Sequence, residues 1–481
     1  MEISRILQYW ADIKPDSLAM VEDEHEITFA QLNSNSRRIA NLLQINSFKS
    51  GDLVCTMLPS IIDWQVTIAL QMLGITSFSK PLGTELPADL MPDWIISTEV
   101  IPNFPEDQTI VADDNFAKAV NQTREIESTP GFASQESPAR YFYTSGTSGA
   151  PKYLLASAGR LKEKGKGRSA SELAGSREFL SLMKFGSSQG YRAAVRALME
   201  SRPVFFTNGV DFRLPKMLLK YPIQTISGSP IQISSLLDIL DQTETKIPGV
   251  KAIVMSGSRP SKVQIDRIRK FGNIKVFNVY GSTELGFVSV HEIKERVEAP
   301  GVLSPNVKLE IVDIEGKSLP RGQVGIVRYK KIDSRSGYVN DAKATAEFFK
   351  DGFFYPGDLG FLDSKGGLTI TGRSNEVINL GGVKINPSEI EDPILAVEGV
   401  IDCAAFGAQD PNGVNRLLVA VVKRDTTDLE SIDKQTREIF KKIAVSYFFE
   451  VKEIPRNENG KIVRAQLPKL IPEITKAKIN D

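Results

Sequence analysis

The chain has 481 residues, 41% hydrophobic and 25% charged, and its 59 Lys+Arg balance its 59 Asp+Glu at a formal net charge of zero. A globular chain of this length exceeds one core and implies two or more domains. With no basic excess, counterion-driven binding to nucleic acid is excluded, so no nucleic-acid partner is expected.

Residues 1–50 read as two helices around a short strand pair. Ile27-Thr28-Phe29 leads into Leu32 to Leu43, whose apolar positions recur at helical spacing. Asp52 to Met57, after Gly51, reads as a strand and Ile61 to Leu73 as a helix. Ile95-Ile96, Thr109 to Val111, Val204-Phe205-Phe206 and Ile253 to Met255 are further short strands separated by helical stretches. That alternation predicts α/β architecture. Residues 159–177 are the most polar stretch, with Lys162, Lys164, Lys166 and Arg168 interleaved by Gly165 and Gly167. They read as a solvated loop, or else as a docking patch for a phosphate-bearing ligand. From 296 to 372 short strands alternate with Gly and Pro turns: Val307 to Ile311, Val324 to Tyr329, Phe361-Leu362 and Leu368 to Thr371. Beyond Gly372-Arg373 the pattern is mixed again, with a helix from Ser388, strands near Cys403 and over Leu417 to Val422, and a helix over 430–443. No internal repeat is visible. The expected fold is a large α/β N-terminal domain carrying a β-rich subdomain (1–374), followed by a small α+β C-terminal domain (375–481).

Cys55 and Cys403 lie too far apart for a disulfide scaffold, and Val400, Ile401, Ala404 and Ala405 around Cys403 predict a buried, inert thiol. The only histidines, His25 and His291, have acidic neighbours (Glu24, Glu26, Glu292) and read as solvated turn residues. Neither a His-rich metal site nor a histidine-based triad is expected from that supply. No stretch approaches the ~20 apolar residues of a membrane span, and the Met1-Glu2-Ile3-Ser4-Arg5 start has no secretory pattern. The expectation is a cytoplasmic, reducing setting.

The strongest local signal is Tyr143-Thr144-Ser145-Gly146-Thr147-Ser148-Gly149-Ala150-Pro151-Lys152. Glycines let successive backbone N–H groups converge on an anion, hydroxyls add donors, and Lys152 adds charge. It is not a Walker A loop, since Tyr153 follows the lysine. A flexible linker can share this composition; the strand-like Ala139 to Tyr143 before it favours a phosphate clamp.

This loop resembles the phosphate-binding motif of the adenylate-forming superfamily, which includes acyl- and aryl-CoA ligases, carrier-protein-loading adenylation domains and beetle luciferase. Further segments match in the same order. Asn278-Val279-Tyr280-Gly281-Ser282-Thr283-Glu284 looks like the adenine and magnesium motif. Gly337-Tyr338 through Thr345, then Asp351 through Gly360, looks like the ribose motif. Gly372-Arg373 with Gly381-Gly382 through Glu391 looks like the hinge and its following strand. Pro455 through Arg464 looks like the catalytic-lysine motif. The opening, with Pro15-Asp16, Ile27-Thr28-Phe29 and Gly51-Asp52, also fits, so the resemblance covers essentially the whole chain.

The resemblance implies that a carboxylate attacks the α-phosphorus of ATP to give an acyl-adenylate and pyrophosphate. A carboxylate is already ionised near neutral pH, so the step needs charge neutralisation rather than a general base. Thr144 to Lys152 would hold the β- and γ-phosphates and Thr283 would contact the α-phosphate. Glu284 would help hold Mg²⁺, a hard cation preferring oxygen. Tyr280 would offer a face to adenine and Asn278 its amide. Gly281 and Ser282 belong to the same motif. Asp358 would accept from the ribose hydroxyls, with Arg373 beside it, and Lys461 would bridge the acid and the α-phosphate. Ser256-Gly257-Ser258 would form another wall of the nucleotide site.

For the second half-reaction the resemblance implies rotation of the C-terminal domain about Asn375, where the family usually has Asp or Lys. Gly381 and Gly382 would let backbone approach a pantetheine arm. The acid pocket would begin at Phe185, Ser187, Ser188, Gln189 and Gly190. Ser187 stands where the family usually has His. Gly186 follows Phe185 where an amino-acid activator has Asp, so an α-ammonium would lack its counter-charge. A small to medium acyl or aryl acid is the expected substrate. The implied cofactors are ATP and Mg²⁺, with CoA or the phosphopantetheine of an acyl carrier protein as acceptor. The competing readings are a stand-alone enzyme that loads a carrier protein or forms an amide, and a non-catalytic nucleotide-binding module. Lys152, Glu284, Asp358 and Lys461 argue against the module, which has no need of catalytic charges.

Overall fold

The fold is seen in a computed structural model describing residues 2–144, 151–161, 178–297, 299–331, 337–380, 383–409, 415–424, 427–440, 445, 447–456 and 461–472. The loop residues Ser145 to Gly149, the basic stretch Lys162 to Arg168, Gly381-Gly382 and residues 441–444 lie outside the described residues. Contacts divide the chain into two units, Met1–Val254 with Gly337–Thr345, and Met255–Ser336 with Ala346–Asp481.

The first unit is α/β. One sheet runs Thr109–Val111, Trp94–Ser97, Leu53–Met57, Thr76–Ser79, Pro138–Thr144, Lys152–Ser157. Its first five strands are parallel and the last is antiparallel. Central parallel strands are covered on both faces, and here even the polar Thr76–Ser79 is buried at every position. A second sheet pairs Thr225–Gly228, Phe179–Ser181, Val204–Phe206 and Leu18–Glu22 in parallel, with His25–Thr28 antiparallel at its edge. Helices start where backbone donors find acceptors. Thr28 and Gln31 form a capping box that starts Phe29–Ile45, so Phe29 opens the helix instead of ending the strand. Buried Glu22 accepts from Ser60 N and Ile61 N, both at 2.9 Å, at the start of Ser60–Met72.

The second unit is β-rich before residue 374, as expected. Lys275–Ser282, Gly286–Glu292 and Val302–Leu303 form an antiparallel ladder. Gly325–Lys331 pairs with Val307–Val312, Phe353–Phe354 and Asp358–Leu362, and the last of these continues to Leu368–Arg373. The helix Ala342–Phe348, unforeseen in the sequence, begins among the first unit's residues and ends among the second's. After 374 come the hairpin Ile378–Leu380/Val383–Ile385 and the helices Pro387–Leu395 and Leu429–Ile439. The sheet here orders Val400–Gln409, Asn415–Lys423, Tyr447–Glu450.

Both histidines occupy strands, which corrects the turn reading. His25 is exposed on His25–Thr28, while His291 is half-buried on Gly286–Glu292 with Nε2 3.0 Å from the Arg296 carbonyl oxygen. Neighbours along a strand face opposite sides, so adjacent acids report little about the histidine itself.

Both thiols are fully buried, and burial pushes both above the ordinary cysteine range. A thiol reagent is therefore expected to label neither Cys55 nor Cys403 in the native protein and both after denaturation. Rapid native labelling at either site would contradict this packing.

Candidate active site

Among the described residues, several motif residues converge in the second unit around Asp358. Gly357 takes φ +79°, a conformation open to glycine, and turns the chain into Asp358–Leu362. Asp358 stands opposite Arg373 in the antiparallel pairing, is only 4% exposed, and its Oδ1 lies 3.3 Å from Arg373 Nε. Its Oδ2 accepts from the Tyr280 hydroxyl at 2.5 Å. Burial works against the Arg373 charge, yet Asp358 and Glu376 hold it above its ordinary value. Burial, then the Asp358 charge, push the Tyr280 phenol well above the usual range, so it stays a donor.

Tyr280 is placed by its strand and by aromatic packing. Its ring meets Tyr329 edge-on at 6.3 Å, and Tyr329 meets Phe354 at 5.6 Å. Asn278 is half-buried on the same strand, opposite His291. At Gly281 an added Cβ would fall 2.4 Å from the Gly286 carbonyl oxygen, so only glycine lets this hairpin close. Ser282 Oγ accepts from Leu285 N at 3.2 Å, which fixes the turn bearing half-buried Thr283 and Glu284.

Lys461 belongs to the same electrostatic cluster. Burial lowers its pKa and Arg373 adds to that, while Asp358, Glu284 and Glu376 oppose it; the balance is a lysine below its ordinary value. The residues after it are tied down. Arg464 donates to Glu376 at 2.8 Å, to Glu391 at 2.7 Å and to the Ala405 carbonyl at 2.8 Å. Asn375 is exposed in the turn directly after Leu368–Arg373. Ser256 ends its strand buried, and Gly257 (φ +94°) and Ser258 are exposed beyond it.

In the first unit, Thr144 and Lys152 stand opposite each other in the sheet. Lys152 Nζ lies 5.8 Å over the Tyr338 ring. Phe185 is fully buried, a core residue packed on Trp64 and Tyr191. Ser187 caps the helix Ser188–Met199, accepting from Gly190 N at 2.9 Å and donating to Lys184 O at 2.8 Å. Ser188 is half-buried and Gln189 exposed, while Gly190 is buried where a Cβ would fall 2.0 Å from Lys184 O.

Sequence reasoning missed Tyr329, Glu376 and the role of Arg464. The alternation of Gly325–Lys331 turns Val327 and Tyr329 inward and could have flagged the tyrosine. Nothing local marks Glu376 as the partner of Arg464.

The AMP-binding enzyme family model matches residues 7–339, and its C-terminal domain model matches 389–461. The chain belongs to the AMP-binding enzyme family. It lies within the adenylate-forming superfamily, with a large N-terminal and a small C-terminal domain. Acyl-coenzyme A synthetase ACSM2A, mitochondrial, of Homo sapiens is 26% identical over 96% of this chain and 89% of its own. The 2-succinylbenzoate–CoA ligase of Bacillus cereus is 25% identical over 96% and 98%. Among solved structures, o-succinylbenzoate coenzyme A synthetase of Bacillus subtilis with ATP and magnesium ion aligns at TM-score 0.81, 20% identity, over 96% and 99% of the two chains. That likeness establishes the fold.

Among the described residues no three His, Cys, Asp or Glu side chains cluster as a metal cage.

The charge arrangement makes an opposed pair of predictions. Arg373→Gln removes a repelling cation and should raise the Lys461 pKa, whereas Asp358→Asn should lower it, read by NMR titration of the labelled lysine. Shifts in the same direction would mean that Lys461 does not sense this cluster.

Proposed function

We propose that the protein is an ATP-dependent acid–CoA ligase that works through an acyl-adenylate. The observation that carries this reading is the buried Asp358 carboxylate, held by Tyr280 and Arg373 and sharing one field with Lys461 and Glu284. Each carboxylate oxygen has a second lone pair, so Asp358 can still accept from vicinal ribose hydroxyls. Acid–CoA ligase relatives support the same class, and a small acyl or aryl acid is the substrate we favour.

A substrate carboxylate oxygen bonds to the α-phosphorus, the bond to the β-phosphate oxygen breaks, and pyrophosphate leaves. Thr144, Ser145, Gly146, Thr147, Ser148, Gly149 and Lys152 hold the β- and γ-phosphates. Thr283 contacts the α-phosphate, and Asn278 and Tyr280 receive adenine. The Lys461 ammonium is shared between the acid and the α-phosphate as negative charge accumulates. Mg²⁺ would be held by Glu284 and would supply charge neutralisation. The CoA thiol then attacks the acyl carbon, AMP leaves, and the thiol proton passes to solvent. Residues 375–481 act as the domain that carries Lys461, with Asn375 as hinge and Gly381-Gly382 beside the pantetheine arm. Two buried free thiols suit a reducing cytoplasmic setting.

The test is acid-dependent exchange of pyrophosphate into ATP over a panel of acids. Products are then analysed with CoA, a phosphopantetheinylated carrier protein or an amine as acceptor. Acyl-CoA as the favoured product is expected. No exchange with any acid would leave only nucleotide binding, and preference for the carrier or amine would reassign the acceptor. Lys461→Ala should slow adenylation by roughly a hundredfold or more yet spare thioester formation from supplied acyl-adenylate. Equal loss of both steps would contradict the assignment of Lys461 to the first step.

A further inference from the structure

The first unit contains a buried arginine that none of the roles above uses. Arg140 lies on Pro138–Thr144 and is 0% exposed, a rare fate for an arginine. Its guanidinium donates through Nη1 to Thr67 Oγ1 and Ser77 Oγ, both at 3.2 Å, and through Nη2 to Ser79 Oγ at 2.6 Å. It also lies 5.2 Å from the Phe185 ring, 5.0 Å from Tyr191 and 5.7 Å from Phe142. The counter-charge is Asp63, 2% exposed in the first turn of Ser60–Met72. Asp63 accepts from Thr56 at 2.8 Å and Thr67 at 3.3 Å, so the two charges communicate through shared hydroxyls. Burial disfavours both charges, while each favours ionisation of the other.

Apolar side chains of similar volume commonly serve a core at least as well as such a pair, so its stability alone does not account for it. Its placement does. Arg140 stands opposite Ser77 in a parallel pairing and reaches forward to Ser79, at the C-terminal end of Thr76–Ser79, the edge where open α/β sheets bind ligands. At that edge Gly186 packs on Ser79 so closely that an added Cβ would fall 2.8 Å from the Ser79 Cβ. Phe185, one residue earlier, lies against the guanidinium. One planar group thus holds both the strand end and the turn that leads into Ser187, Ser188 and Gln189.

We propose that Arg140 is a positioning residue for the carboxylic acid substrate. It clamps Ser79 and the Phe185-Gly186 turn as one body, and the acid pocket inherits its shape from that clamp. The proposal rests on the acid–CoA ligase reading, in which the segment that follows Phe185 receives the acid. Lysine would keep the charge but lose the fork that reaches several hydroxyls at once.

The test compares the wild type with Arg140→Lys and with the charge-neutral pair Asp63→Asn/Arg140→Met. Hydrogen exchange is measured over residues 77–80 and 184–190, alongside KM for acid, KM for ATP and kcat in pyrophosphate exchange. In both variants exchange should quicken by roughly tenfold at these two segments and not in Val400–Gln409. KM for acid should rise by roughly tenfold or more, with KM for ATP within about threefold. Unchanged exchange at 184–190, or KM values for acid and ATP that move together, would overturn the proposal. If the paired variant does not fold, Arg140→Lys decides by the same criteria. Absence of acid-dependent exchange in the wild type would instead count against the ligase reading, and the hydrogen-exchange arm would still decide whether Arg140 clamps the two segments.

Discussion

A buried carboxylate must find donors and counter-charge in place of water. Asp358 has a guanidinium at one oxygen and a phenol on the other. Each partner is fixed in turn: Arg373 by strand pairing, Tyr280 by its ladder and by the Tyr329 and Phe354 rings. The charge balance around Lys461 also depends on this carboxylate, which offsets the repulsion from Arg373 ahead of Glu284 and Glu376. In the proposed function this one buried acid orients the neighbouring cation and leaves lone pairs for the ribose.

Asp63 and Arg140 show the same economy of charge in the first unit, with hydroxyls as intermediaries in place of direct contact. Hydroxyls both donate and accept, so Thr67 can serve a cation and an anion together. Within the buried Thr76–Ser79 strand the Ser77 and Ser79 hydroxyls are claimed by this network, and the Thr76 hydroxyl donates to the Pro138 carbonyl. Polar residues in a central strand then carry a positional instruction that an apolar strand could not.

Much of this was legible in the sequence, for identifiable reasons. The apolar runs at Val204–Phe206 and around Ile95-Ile96 marked strands because parallel strands buried on both faces are continuously apolar. Tyr280, Asp358, Arg373 and Lys461 were legible because they lie in ordered motifs. Thr76–Ser79 was missed because its burial depends on Arg140, sixty-odd positions further along the chain. Arg140 itself was missed because an arginine in a strand ordinarily faces water. The histidines were misplaced because flanking charge was read as a turn, although a strand alternates its faces. Phe185 was expected in the acid pocket, and its ring proves to be core. Partnerships such as Glu376 with Arg464 join segments far apart in sequence, and no local pattern announces them.

The central claim is that Asp358, clamped by Tyr280 and Arg373, receives the ribose of ATP. The most direct measurement is calorimetric binding of ATP and of 2′,3′-dideoxy-ATP to the wild type and to Asp358→Asn. Hydrogen bonds to a charged group contribute ~1.5–3 kcal/mol, so the wild type should prefer ATP by roughly tenfold or more and the variant should lose that preference. Equal affinity of the wild type for both nucleotides, or a preference that survives in Asp358→Asn, would contradict the account.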